Sequence, residues 1–126
     1  MTRIKVSSGK AKGRKLQQIL CGFISKAIGI EWGSEDEKLI QSRPMGQKGN
    51  DVVLRGEAIE LFPFSCECKW NEKWNLPDAI KQAKANQKSG TDWLVCLKKN
   101  HMEPIVVLDA EVFFKLYGQL LSFKKF

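Results

Sequence analysis

Histidine is nearly absent: His101 is the single one among 126 residues. That scarcity argues against His-ligated metal centres and Ser-His hydrolysis, and a lone histidine in a lysine-rich turn reads as a surface residue. Acids are outnumbered, 14 against 21 basic residues, for a formal net charge of +7. No apolar run approaches the roughly 18 residues that cross a bilayer. The opening MTRIKVSSGKAKGRK has no apolar stretch of the export kind. The chain therefore reads as neither exported nor membrane-bound, with a cytoplasmic address expected (the host cytoplasm if its source is viral). Cys21, Cys66, Cys68 and Cys96 form no C-x-x-C and sit among apolar neighbours. They read as reduced core thiols, not as zinc ligands or disulfides.

What the chain does have is enough for one packed domain and not two, with 43% hydrophobic and 28% charged residues. Its positive charge is unevenly spread. Arg3, Lys5, Lys10, Lys12, Arg14 and Lys15 precede every acid, and Lys98-Lys99 and Lys124-Lys125 add two clusters. Such a surface attracts polyanions, nucleic acid first. Residues 1–13, rich in Gly, Ser and Lys, read as a flexible basic arm ahead of a domain spanning 14–126.

Apolar spacing predicts a helix from about Arg14 to Ile28, stopped by Gly29. Residues 33–49 read as a long loop with at most one helical turn. A short strand is expected from Asp51 to Leu54, and a longer one over Phe62–Trp70, where apolar and polar residues alternate. Asn75, Leu76, Pro77 and Asp78 open a helix to about Lys88, with Leu76, Ala79, Ile80 and Ala83 as its apolar stripe. Trp93–Lys98 and Ile105–Leu108 predict a hairpin, and residues 110–121 a last helix. The sum is an α/β fold, a mixed central β-sheet flanked by helices. The last helix carries Val112, Phe113, Phe114, Leu116, Tyr117, Leu120 and Leu121, with Phe123 and Phe126 beyond. That stripe is too wide for one buried face. Either it is wedged deep in its own core, or a second copy covers it in a homodimer.

The residues with chemical promise are Glu67-Cys68-Lys69. With 9 Glu and 17 Lys in the chain, chance supplies about one E-x-K, so the setting decides its meaning. On a strand, Glu67 and Lys69 share one face and Cys66 and Cys68 the other. Asp51 begins another strand; if the two are neighbours, two carboxylates converge beside one lysine. Mg²⁺ takes hard oxygen ligands, commonly one or two carboxylates, completed by water and phosphate. Asp51, Glu67 and the backbone carbonyl of Cys68 are the candidate ligands, with Mn²⁺ the expected substitute. Lys69 would orient the attacking water or neutralise phosphate charge. An exposed Glu67–Lys69 pair and an ordinary turn residue at Asp51 fit the same pattern.

The strings Ser42-Arg43-Pro44-Met45-Gly46, Gly49-Asn50-Asp51-Val52-Val53-Leu54 and Phe62-Pro63-Phe64-Ser65-Cys66-Glu67-Cys68-Lys69 resemble the PD-(D/E)XK nuclease superfamily. Within it they are most similar to small phage and archaeal Holliday junction resolvase-like endonucleases. That resemblance implies a restriction-endonuclease-like core and a Mg²⁺-dependent DNA endonuclease of recombination, acting on branched DNA. It assigns the catalytic and metal roles to Asp51, Glu67 and Lys69. Arg43, Lys48, Lys12, Arg14 and Lys15 would contact DNA, and Gln82 on the following helix would flank the site. One position departs from the pattern. The run Lys12-Gly13-Arg14-Lys15-Leu16-Gln17 places Gln17 where an acid is expected, which leaves Gln17 an accessory at best. Glu31, Glu35, Asp36 and Glu37 are another source of an acid or, more simply, a solvated loop. A nicking or restriction-type nuclease of the same fold, a DNA-binding module without catalysis, and an RNA substrate all remain compatible. Trp70 and Trp74 would either stack on unpaired bases or pack at the core rim.

Overall fold

The computed structural model describes residues 6–43 and 50–124. The first element, α1 (Val6–Ile28), places Leu16, Leu20, Cys21 and Ile24 on one face, all buried. It ends where expected, at Gly29, whose φ of 75° suits glycine and whose N–H closes on the Ser25 carbonyl at 2.8 Å. Its start differs from the sequence reading. Residues 6–13 belong to the helix and not to an arm, and Lys12 within them is held by the side chain of Asn100 at 3.0 Å. A tertiary contact of that kind leaves no periodic signal in the sequence.

The stretch read as a long loop contains two short strands, β1 (Trp32–Gly33) and β2 (Ile40–Ser42). β2 pairs antiparallel with β3 (Val52–Leu54), Ile40 opposite Leu54 and Ser42 opposite Val52, while β1 joins β2 in parallel. Ile40, Gln41 and Ser42 are all buried, so burial on both faces, not alternation, marks β2. A one-turn helix, α2 (Glu57–Leu61), comes next. The predicted long strand is β4 (Phe64–Trp70), and the helix after it is α3 (Leu76–Ala85). Asn75 caps α3 by accepting from the Asp78 N–H at 3.1 Å. β5 (Asp92–Lys98) and β6 (Ile105–Leu108) form the expected antiparallel hairpin, and β4 runs parallel to β5. α4 (Ala110–Lys124) closes the described chain.

The class is α/β, but the strands fall into two mixed three-stranded sheets, β1-β2-β3 and β4-β5-β6, instead of one central sheet. α1 covers one side: Leu16, Leu20 and Ile24 pack with Ile40, Val52, Leu54, Phe64, Cys66, Cys68, Leu94 and Cys96. α3 covers the other face of the second sheet, where Ala79 and Ala83 meet Val95 and Leu97. Small residues let α3 lie close to the sheet, and that closeness brings its C-terminal end up to β4. All four cysteines are free and buried, as expected. Burial pushes the Cys21 thiol up to about 12 and that of Cys66 higher still, which makes both inert as metal thiolates. Among the described residues no helix is long and apolar enough to cross a membrane.

Leu16 is fully buried at the centre of the α1 face. Replacing it with Ala should cost about 2–5 kcal/mol through lost transfer and a residual cavity. Urea denaturation should show a lower midpoint at unchanged slope.

Candidate active site

The two sheets meet at Asp51. Its carbonyl accepts from the Arg43 N–H at 3.1 Å, one step beyond the Ser42–Val52 pair, so it still belongs to the first sheet. Its own N–H donates to the Cys66 carbonyl of β4 at 3.1 Å. The next bond to β4 is made by a side chain: the Cys68 N–H donates to Oδ2 of Asp51 at 2.6 Å. A carboxylate thus replaces the backbone carbonyl that would continue a ladder, and the strands diverge there. Charged acceptors of backbone N–H groups form short, strong hydrogen bonds.

Because strand backbone groups alternate, Cys66 and Cys68 present their main-chain polar atoms to this edge, and Glu67 presents its own to β5. The Cys68 carbonyl therefore lies on the Asp51 side of β4. The Cys66 and Cys68 side chains face α1, and those of Glu67 and Lys69 face the α3 side. Glu67 is 6% exposed, and its Oε1 accepts from Nδ2 of Asn86 at 2.9 Å. Asn86 comes directly after α3, and its carbonyl accepts from Nδ2 of buried Asn50 at 2.8 Å. Asn50, Asn86 and Glu67 form one chain of contacts that fixes the carboxylate beside Asp51.

The Glu67 carboxyl stands close enough to Asp51 for its charge to bear on it. Burial first, and the charge of Glu67 second, push the Asp51 carboxyl up to about 6, against the Cys68 N–H and Lys69, which pull it down. Lys69 is half-buried on the wall of a cavity of about 200 Å³ that it shares with Asn71, Lys73, Trp74, Asn75 and Asp78. Two hard-oxygen donors held together, with a carbonyl on the same edge, are a donor set suited to a divalent cation such as Mg²⁺.

Asp51, Glu67, Lys69 and Cys68 are therefore brought together as the sequence reading requires. Gln17 is not among them. It accepts from Oγ of Ser42 at 3.1 Å, and Ser42 is paired with Val52, whose side chain faces α1. The loop acids lie elsewhere too. Glu31 pairs with Lys38 at 3.5 Å, and Asp36 accepts from Gln41 at 3.1 Å while its carbonyl takes a bond from Arg55, beyond the far end of β3. Among the described residues no group of three His, Cys, Asp or Glu side chains is arranged to hold a metal ion.

The residues expected to contact DNA are scattered. Arg43 donates from Nε to the Asn50 carbonyl, bracing the approach to Asp51. Gln82 is exposed one turn before Asn86, and it is Asn86 that reaches the acid. Lys12 is engaged with Asn100 and lies 5.9 Å from the Trp70 ring, while Arg14 and Lys15 are exposed on α1. Lys48 lies outside the described residues. Trp70 and Trp74 pack beneath cations: Lys98 stands 4.4 Å from the first ring and Lys99 4.7 Å from the second. Their indole N–H groups donate to Asn100 Oδ1 and the Lys98 carbonyl, tying β4 to the hairpin turn. Asn50 and Asn86 are the residues the sequence reading missed. Each adjoins a turn, where Asn is commonplace, so nothing in composition singled them out.

The chain matches no protein-family model, no curated protein and no solved structure.

Asp51 sets a pH dependence whose sign is fixed by its raised value. Between its ordinary 3.8 and about 6 the folded chain holds a proton that the unfolded chain has lost. Stability from this group therefore falls as pH rises through that window. Asp51→Asn should flatten the slope while keeping an acceptor for the Cys68 N–H. Denaturation midpoints from pH 4 to 7 in EDTA, compared between the two proteins, check this; parallel curves would refute it.

Proposed function

We propose that this chain is a Mg²⁺-dependent endodeoxyribonuclease of the PD-(D/E)XK type, with a restriction-endonuclease-like core and branched DNA as substrate. The observation that carries the reading is the Asp51 carboxylate docked on the edge of β4 beside Glu67, with Lys69 two residues on. Those are the residues to which the sequence resemblance assigns the reaction, and they come from two separate sheets.

Asp51, Glu67 and the Cys68 carbonyl would hold the cation. Mg²⁺, or Mn²⁺ in its place, when bound polarises the scissile phosphate and offsets the charge that builds on it. Asn86, anchored through Asn50, holds Glu67 in one orientation so that both carboxylates are preorganised. Lys69 keeps an ammonium against the reacting phosphate from the mouth of its cavity, as a compact point charge. Lys73 in the same cavity, with Lys12, Lys98 and Lys99 around the two indoles, supplies positive charge for flanking phosphates.

A second reading, a DNA-binding module that does not cleave, draws on Gln17. The position where the resemblance expects an acid is a neutral amide bonded to Ser42. One experiment separates the two: strand cleavage of a labelled four-way junction and of linear duplex of the same sequence, in Mg²⁺ or EDTA. The expected result is cleavage of the junction in Mg²⁺, abolished by EDTA and by Asp51→Asn. Lys69→Ala should lower the rate roughly 10²–10³-fold, as loss of a charge-stabilising donor does, whereas Gln82→Ala should leave it nearly unchanged. Binding without cleavage in either Mg²⁺ or Mn²⁺ would establish the second reading.

A further inference from the structure

The cavity beside Lys69 contains groups that metal chemistry leaves unused. Its floor is apolar: Ala79 of α3 and Leu97 of β5, both buried. Trp74 supplies an aromatic wall that is already fixed in place. Its indole N–H donates to the Lys98 carbonyl at 3.3 Å, and Nζ of Lys99 lies 4.7 Å from its ring centre. Such a wall loses little freedom when something packs against it.

The polar groups of this cavity are unengaged. Among the described residues, the side chains of Asn71, Lys73 and Asp78 accept or donate no hydrogen bond and join no ion pair. Asn75 commits only its Oδ1, which accepts from the Asp78 N–H at 3.1 Å. At the neighbouring acidic edge the opposite holds, since Asn50, Asn86 and Glu67 are bonded in series.

We propose that this cavity receives one unpaired nucleobase, adjoining the phosphate that Lys69 faces. The proposal rests on the nuclease reading and narrows its substrate to DNA with a base out of the stack beside the scissile bond. Three features select a base. The cavity, about 200 Å³, has the volume of roughly seven waters at about 30 Å³ each, room for one ring system and not for a base pair. Its apolar floor and indole wall suit a flat aromatic surface. Its interior carries Asp78, which repels a phosphate but reads a base edge together with Asn71 and Asn75; a carboxylate accepts, for example, from the N4 amino group of cytosine. The flanking phosphates then meet Lys69 and Lys73. Lys69 lines the cavity and shares a strand face with Glu67, so base capture and chemistry lie side by side on β4. A base that is already unpaired enters most readily, because a paired one must first leave its stack.

Fluorescence anisotropy of labelled duplexes in EDTA tests this without cleavage. Three DNAs of one sequence are compared: fully paired, with one bulged cytosine, and with an abasic site replacing that cytosine. The cytosine bulge should bind roughly 10-fold more tightly than either of the others, the scale of one stacked base. Asn71→Ala, at an exposed position, and Trp74→Leu should each remove most of that preference. Lys73→Ala should instead weaken all three alike, as loss of a phosphate contact does. A cytosine bulge bound no more tightly than the abasic one overturns the proposal. So does a preference undiminished in folded Asn71→Ala. Cleavage of the same DNAs in Mg²⁺ is scored separately. Preference without cleavage keeps the pocket and refutes the nuclease reading, whereas cleavage without preference does the reverse.

Discussion

The hydrogen bond from the Cys68 amide to the Asp51 carboxylate is the constraint on which the architecture and the site both rest. With the Asp51 N–H bond to the Cys66 carbonyl it joins the two three-stranded sheets, and it uses a charged side chain where a carbonyl would serve structure alone. A carbonyl in that place would extend the ladder and bring no charge. The acid makes the seam electrostatically costly, since Glu67 stands against it. The fold tolerates that cost by surrounding the pair with donors: the Cys68 amide on one carboxylate and the Asn86 amide on the other.

Those donors are arranged in series. Asn50, immediately before Asp51, reaches Asn86 at the end of α3, and Asn86 reaches Glu67 on β4. A helix, a strand and the entry to another strand are thus positioned against one another by amide groups that carry no charge. The close approach of α3, permitted by Ala79 and Ala83, is what brings the residue at its end within reach. Packing on one side of the sheet therefore sets the geometry of the acids.

Much of this was legible in the sequence where periodicity carried it. The alternation in Phe64–Trp70 placed Glu67 and Lys69 on one face, and the pattern of Trp93–Leu108 gave the hairpin. The reading failed where long-range contact overrode local pattern. β2 is a run of three buried residues with polar Gln41 and Ser42 in it, satisfied by Asp36, Arg55 and Gln17 from elsewhere, so no local rule distinguishes it from a loop. The N-terminal extension of α1 carries a tie of the same long-range kind, Lys12 to Asn100, 88 residues away. For the candidate site, spacing put Glu67 and Lys69 on one face, and the resemblance joined Asp51 to them; the fold brings the three side by side. The roles of Asn50 and Asn86 depend on the end of a helix arriving at a particular strand, and that is a property of packing alone.

Cys68 belongs to two environments at once. Its main chain serves the acidic edge, whereas its side chain lies among the apolar contacts of α1, opposite Cys96 in the register of β4 and β5. The middle residue of Glu67-Cys68-Lys69 is thus chemically anonymous: the N–H it gives to Asp51 is common to every amino acid except proline. Its identity answers to the space left by its hydrophobic neighbours. Interchange with another small apolar residue is a question of volume, while proline, which lacks the amide hydrogen, would strip the Asp51 carboxylate of its bond to β4 and leave the Asp51 N–H on the Cys66 carbonyl to hold the seam.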